Sequence, residues 1–377
     1  MHIAFLTSEY PHPAVRHSAG IGTSIKNLAT ALVEEGHQVT LFIYGQKKHL
    51  TFVEHQINFH LIKQKEYKLG GFYFYRKYVQ KFINAHSAQI DVLEAPDWTG
   101  ITAFMNFKKP LVIRLHGSDT YFCHLENRPQ KKKNYLFEKW ALKRAKAITS
   151  VSVFTAQKTQ ELFRLKKQIT VIHNIILLEN FIPLASIAES RYILNFGSVI
   201  RKKGVIALGK AFNNLAGNLP DVELKYLGKD IRDALTGTMT STLILNEIDP
   251  CFQKRVSFIE QVPYDEVNQY INKAAVVCLP SYAEAFPMTW LEAMALEKPL
   301  VTSNIGWANE IMIDGTTGST MQPDDSELFF QALKKMLTDK EFAMQCGKNA
   351  RMHLESNFSK KQIVNQNLSF YKSVIND

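Results

Sequence analysis

The sequence predicts an α/β protein built from two doubly wound parallel sheets with helices on both faces. Three observations predict it. Short apolar runs alternate with amphipathic helical stretches, the pattern of parallel strands joined by crossover helices. The alternation restarts near residue 191. The length, 377 residues, suits two or three domains.

The elements follow in order. HIAFLTS reads as a strand. SIKNLATALVEEG reads as a helix, because Ile25, Leu28, Ala29, Leu32 and Val33 recur at helical spacing and Gly36 marks the stop. HQVTLFIYG is the next strand. DVLEAP and PLVIRLHG are short apolar runs ending in polar loops. EKWALKRA reads as helix, AITSVSV as strand, FTAQKTQELF as helix and QITVIHN as strand. ILLENFIPLASIAES, residues 176–190, joins the halves. The series then begins again with RYILNFGS as strand, VIALGKAFNNLA as helix, VELKYLG and RVSFIEQV as strands and YDEVNQYINKA as helix. AAVVCLP, a loop, a helix through MTWLEAMA and the run PLVTS form a strand–loop–helix–strand unit. ELFFQALKKMLTD and FAMQCGKNARMHLESN are further amphipathic helices. Ligands of open α/β sheets lie outside the carboxyl ends of the strands. With two such domains, a cleft between them is the expected site.

Composition narrows the class. Hydrophobic residues make up 46% and charged residues 21%, which fits a globular protein with real cores and excludes disorder. No apolar run approaches the roughly 20 residues that span a bilayer. The N-terminus MHIAFLTSEYP lacks a basic n-region and a small-residue cleavage site, so it reads as a first strand and not a signal peptide. Cys123, Cys251, Cys278 and Cys346 show no C-x-x-C spacing. That argues against zinc and against a disulfide framework, and for a reducing, cytoplasmic compartment.

The net charge of +10 is uneven. Residues 1–185 hold 25 Lys/Arg against 13 Asp/Glu, and the remainder 20 against 22. The excess concentrates in residues 63–81 and 128–146, including Lys131, Lys132 and Lys133. Such a surface suits an anionic membrane face or an acidic acceptor; the alternative is a solvated face without a partner. Phe72, Tyr73, Phe74 and Tyr75 interleave the first basic segment, and either touch a lipid interface or pack in a core or lid. No nucleic-acid-binding motif accompanies the charge.

Four segments carry candidate chemistry. Gly20-Ile21-Gly22-Thr23 precedes the first helix, and its glycines permit close backbone approach to a phosphate or sugar. The dinucleotide fingerprint wants a further glycine where Ile25 stands and a tight turn straight after the strand; here Glu9 to Ala19 intervene, which disfavours a nicotinamide or flavin enzyme. His116 and Asp119, in LHGSD, end a strand; a His there can donate to a sugar hydroxyl or to developing charge, or serve structure alone. In FGSVIRKKG, Gly197 and Ser198 end a strand, and Arg201, Lys202 and Lys203 can neutralise a diphosphate leaving group, or simply be solvated. In SYAEAFPMTWLEAMALEKPLVTS, Glu284 and Glu292 lie eight residues apart. Glu284 sits in the loop and Glu292 about one turn into the helix. Between them the N–H groups of Ala285, Phe286, Met288 and Thr289 can reach a phosphate at the helix start, and Pro287 reads as a first helical residue. The two carboxylates suit the sugar parts of a nucleotide-sugar.

These segments, in this order, resemble the retaining family-4 glycosyltransferases of the GT-B fold, and the resemblance covers nearly the whole chain. SAGIGTSIKNLATALVEEGHQVTLF is similar to the glycine loop and first helix of that family. ITVIHNI is similar to its Pro-Asn-Gly strand end, with His173 and Ile175 replacing Pro and Gly. GSVIRKKG resembles its Gly-Arg-(four residues)-Lys-Gly motif, and SYAEAFPMTWLEAMALEKPLVTS with EIMIDGTTGSTMQPDD its E-x7-E region. The resemblance implies two Rossmann-like domains facing across a cleft: an acceptor-side domain over 1–182, a donor-binding domain over 183–358, and a C-terminal helix over about 359–377 that packs back on the first.

It also implies roles. Glu284 would contact the donor sugar near the reacting carbon and Glu292 would hold the nucleotide ribose. Lys203 would bind the diphosphate, Gly22 would approach the donor phosphate, and His116 would contact the donor sugar. Ser198 stands where the family usually has Arg, so either Arg201 supplies the second charge or the diphosphate is held more weakly. The implied reaction moves a sugar, with retention, from a UDP- or GDP-linked donor to a carbohydrate or lipid-linked acceptor in polysaccharide or glycoconjugate synthesis. The absence of a D-x-D triplet argues against a metal clamp, and no cofactor is expected. A nucleotide-sugar epimerase, a phosphorylase and an inactive nucleotide-sugar-binding protein share the expected architecture and stand as alternatives.

Overall fold

The computed structural model describes residues 1–184, 191–260 and 262–376. Residues 185–190 of the expected joining segment, with Gln261 and Asp377, lie outside them. The chain divides into two compact units: Met1–Leu177 with Phe358–Asp377, and Leu178–Asn357.

The first unit holds strands β1 (His2–Thr7), β2 (Gln38–Gln46), β3 (Leu50–Glu54), β4 (Ile57–Lys63), β5 (Val92–Pro96), β6 (Leu111–Leu115), β7 (Ala147–Ser150) and β8 (Ile169–Val171). Their spatial order is β3-β4-β2-β1-β5-β6-β7-β8. Every neighbouring pair is parallel except β3 and β4. The helices are α1 (Gly20–Glu34), α2 (Gly71–Ala85), α3 (Asp119–Leu125), α4 (Lys132–Arg144) and α5 (Val153–Phe163). Successive strand residues point to opposite faces, and β1 shows it: Ile3 and Phe5 enter one core with Leu28 and Leu32 of α1, while Ala4 and Leu6 enter another with Val79 and Ile83 of α2. A sheet buried on both faces needs the continuous apolar runs that the strands carry.

The second unit repeats the plan. Its strands are β9 (Tyr192–Phe196), β10 (Glu223–Leu227), β11 (Val256–Ile259), β12 (Val276–Leu279), β13 (Leu300–Ser303) and β14 (Ser319–Met321), ordered β11-β10-β9-β12-β13-β14 and all parallel. The helices are α6 (Val205–Asn218), α7 (Thr240–Glu247), α8 (Tyr264–Lys273), α9 (Met288–Ala295), α10 (Ser326–Thr338) and α11 (Lys340–Asn357). The last helix, α12 (Lys360–Asn376), belongs to the first unit, where Ile363, Val364, Tyr371 and Val374 enter the α1-side core. No helix among the described residues is long and apolar enough to cross a membrane.

Some elements escape sequence reading, and the reasons are physical. The hairpin of β3 and β4 and helix α2 fall in a stretch rich in Lys, His, Gln and aromatic residues, which blurs both periodicities. Short α7 and β14 carry too few residues for a period to show. Helix α1 begins at Gly20 and not at Ser24, so both glycines lie in its first turn and not in a loop before it. Pro287 is extended (φ −71°, ψ 119°) and immediately precedes α9, so it caps the helix and is not its first residue.

Buried polar bonds hold α12 in place. Arg114 on β6 forks onto Glu94 of β5, with Nε 2.7 Å from Oε1 and Nη2 3.0 Å from Oε2. The Tyr371 hydroxyl donates to Glu94 Oε2 at 2.7 Å, and Arg114 donates to Asn367 Oδ1. Both charged side chains are nearly fully buried, so removing one strands the other. Arg114→Met is expected to cost about 3–5 kcal/mol of unfolding free energy in a urea titration. Adding Glu94→Leu should recover much of that loss; a single variant as stable as the parent would show that the pair does not anchor the helix.

Candidate functional site

In the second unit the direction of strand succession reverses between β9 and β12. Neighbouring strand ends there send their loops apart and leave a crevice outside the carboxyl edge. The loop after β9 carries Gly197, Ser198, Arg201 and Lys203, and the loop after β12 carries Glu284 through Pro287.

The two loops are pinned together. Gly204 has φ +70°, and a Cβ there would fall 2.0 Å from the Pro280 carbonyl oxygen, an approach only glycine allows. The Tyr282 N–H donates to the Lys202 carbonyl at 2.8 Å. This brings the Lys203 ammonium into direct contact with Glu284 Oε1, which also accepts from the Ser281 hydroxyl at 2.9 Å. Glu284 is buried, whereas Lys203 keeps about a fifth of its side chain exposed. A carboxylate held by an ammonium and a hydroxyl is oriented as well as charged.

Arg201 turns to Asp233, with Nε 2.8 Å from Oδ1 and Nη2 2.9 Å from Oδ2. This fork, helped by Thr236, holds the Asp233 carboxyl down at about 2. The Arg201 side chain is 40% exposed. Gly197 is half-buried with φ +109°, and a Cβ there would stand 3.7 Å from Thr289 Cγ2, so the end of β9 abuts the start of α9. Ser198 is exposed, whereas Ala285, Phe286, Pro287, Met288 and Glu292 are buried. The Tyr282 hydroxyl donates to Asp324 at 2.6 Å. The second unit therefore gathers Gly197, Thr289, Lys203 and Glu284 around one pair of strand ends. Ser281, Tyr282 and Asp233, which hold this arrangement, had no distinguishing spacing in the sequence.

Gly20, Gly22 and His116 belong to the first unit, whose own reversal lies between β1 and β5. No side chain caps α1 from Ala19; instead Glu9 Oε1 accepts the Gly22 N–H at 2.8 Å. Burial pushes the Glu9 carboxyl up, and bonds from Gly22 and Ile21 pull it partly back. A Cβ on Gly22 would meet the Tyr10 Cα at 2.9 Å, whereas one on Gly20 would meet nothing within 4 Å. The glycine at 22 is thus demanded by the chain's own loop.

His116 follows β6, and its N–H donates to Asp97 Oδ1 at 2.9 Å. Burial and then the charge of Arg114 lower the imidazole to about 3, so the ring is neutral near pH 7 and still owns one N–H donor. Asp97 directly follows β5, and burial raises its carboxyl to about 8, with the Glu138 charge adding to the effect. Its position just beyond an apolar strand is the only trace of it in the sequence. Asp119 lies apart from any candidate role, bonded to Arg128 and Asn134.

Asp97 makes the pH dependence testable. Its folded carboxyl lies above the usual 3.8, so its contribution to stability is complete below about pH 4 and is lost as pH rises through about 8. Asp97→Asn keeps an acceptor for His116 and cannot ionise. The variant should gain on the parent in melting temperature between pH 5 and pH 9; parallel melting curves would refute the shift.

Residues 18–180 match the sequence profile of Glycosyltransferase Family 4, and residues 179–353 that of Glycosyl transferases group 1. Glycogen synthase of Mycobacterium tuberculosis is 24% identical over 98% of this chain and 94% of its own. Sucrose-phosphate synthase from Thermosynechococcus elongatus superposes with a TM-score of 0.79 at 19% identity, covering 99% of both chains. HepE from Anabaena, crystallised with UDP-glucose, gives a TM-score of 0.72 at 19% identity over 99% of this chain and 100% of its own.

Proposed function

The chain belongs to the family 4 glycosyltransferases and has their GT-B architecture of two Rossmann-like units, and from that premise we propose that it transfers a sugar from a nucleoside diphosphate sugar to an acceptor hydroxyl with retention at the anomeric carbon. The observation that carries the proposal is the Lys203–Glu284 contact at the β9/β12 strand ends. One group of that pair suits a leaving diphosphate and the other suits sugar hydroxyls.

In this reading the Lys203 ammonium and the N-terminus of α9 stabilise charge growing on the departing diphosphate. Asp233 orients Arg201, whose remaining N–H groups add to the positive field. Gly197 and exposed Ser198 leave room for the phosphates beside Thr289, and the backbone from Ala285 to Thr289 lines the same edge. Glu284 accepts from the donor sugar, and Glu292 from the ribose. Gly20 and Gly22 are assigned to the donor side by family likeness, as is His116, whose neutral ring can donate one hydrogen bond. The leaving phosphate helps to take the acceptor proton on the face that it vacates. Positive side chains and backbone N–H groups supply the electrophilic help, so no metal or other cofactor enters the reaction. UDP-glucose in HepE supports a UDP-linked donor, with a GDP-linked one as the alternative. The acceptor is a carbohydrate or a lipid-linked carbohydrate in polysaccharide or glycoconjugate synthesis, and the protein works in the cytoplasm.

A panel of nucleotides and nucleotide-sugars should raise the melting temperature for the true donor, since binding to the native state stabilises it. With that donor, free nucleotide should be released only when acceptor is present; release without acceptor favours an epimerase or hydrolytic reading, and binding without turnover an inactive protein. Lys203→Met is expected to lower kcat by about 10²–10³-fold, and Glu284→Gln to lower kcat more than it raises KM. Glu292→Gln should chiefly raise the donor KM. Unchanged turnover in Glu284→Gln would remove that residue from the reaction. A chelator should leave the rate unchanged, and proton NMR of the first product should show the donor's anomeric configuration.

A further inference from the structure

Helices α2 and α4 of the first unit pack together through aromatic rings. Phe72 stands 5.4 Å from Phe137, and the Arg76 guanidinium lies 5.0 Å over Phe137. Phe104 joins them, 5.6 Å from Tyr73 and 4.3 Å from Trp140. Around this junction Leu69, Phe72, Tyr73, Phe74, Leu136 and Trp140 are all exposed, Leu69 at 85% and Leu136 at 59%. Rings and leucines gathered in one exposed place mark an interaction surface.

The two helices expose charge of one sign. Helix α2 carries Arg76, Lys77 and Lys81 and no Asp or Glu. Helix α4 carries a single acid, Glu138, which is fully buried and accepts the N–H groups of Asp119 and Thr120 at the start of α3. Neither helix therefore exposes a carboxylate. Lysines sit directly on the rings, with Lys133 Nζ 5.5 Å over Phe72 and Lys77 Nζ 5.7 Å over Tyr73. Lys131, Lys132 and Lys133 are exposed at the head of α4.

We propose that the α2–α4 face docks on an anionic phospholipid bilayer, with the exposed rings and leucines entering the headgroup boundary and the lysines meeting the lipid phosphates. The combination selects this partner. Lysine stems lie along apolar surface while their ammonium groups reach outward, aromatic rings suit the headgroup level, and each basic residue near an anionic leaflet adds to binding. An acidic protein would satisfy the lysines but not call for a ring-and-leucine surface between them. The surface does not depend on the transferase reading, because binding needs neither donor nor acceptor.

The test is sedimentation of the full chain with vesicles of phosphatidylcholine alone and of phosphatidylcholine mixed with phosphatidylglycerol, at low and high salt. Binding is expected only to the anionic vesicles and should weaken as salt rises. Lys132→Glu/Lys133→Glu should lower the partition coefficient at least about tenfold, and Phe74→Ala/Leu136→Ala should also lower it with the charge unchanged. Both pairs are exposed, and melting temperatures equal to the parent's verify folding. Equal partition to both vesicle types, binding to neither, or parental binding by either double variant would overturn the proposal.

Discussion

The approach of Gly204 to the Pro280 carbonyl is the constraint from which the rest of the candidate site follows. With no Cβ and a positive φ at that residue, the turn after β9 lies directly on the loop after β12. The Tyr282–Lys202 hydrogen bond continues the contact. Inside the sheet, the Asn195 side chain on β9 donates to the Cys278 carbonyl of β12 at 2.8 Å and ties the same strands one layer below. Lys203 and Glu284 then meet because their backbones have nowhere else to go. Any side chain at position 204 would push the turn away and part the pair.

Both units manage buried charge in the same way. Glu94 and Arg114 share their burial with Tyr371 and Asn367, and Arg201 forks onto Asp233. Glu9 spends its carboxylate on the N–H of Gly22, and Glu138 on the start of α3. A buried carboxylate is tolerable only where donors surround it, and first-turn helix N–H groups are donors without helical partners. Asp97 is the exception in degree: its site is dry enough that burial outweighs its hydrogen bonds and favours the neutral acid.

Legibility followed periodicity. Long amphipathic helices such as α6, α10 and α11 and buried strands such as β1, β2 and β9 read directly, because each repeats its apolar residues at the spacing its geometry requires. The β3–β4 hairpin and α2 did not, because basic and aromatic residues interrupt the pattern, and those of α2 contribute to the α2–α4 surface. The start of α1 escapes local reading because the carboxylate that accepts its Gly22 N–H, Glu9, lies eleven positions before Gly20, and no local rule connects them.

By itself the sequence determined that two α/β units exist, that the second carries Gly197, Lys203 and Glu284 beyond its strand ends and Glu292 in the helix that follows, and that the basic charge lies in the first half. Spacing and sign are properties of the chain alone. Only the tertiary structure decided that Lys203 touches Glu284, that Arg201 turns to Asp233, that Gly22 packs on Tyr10, and that His116 is neutral. The physical reason is distance: partners remote in sequence meet only once the sheets form, and hydrogen bonds and burial, which set charge and orientation, fall off within a few ångströms.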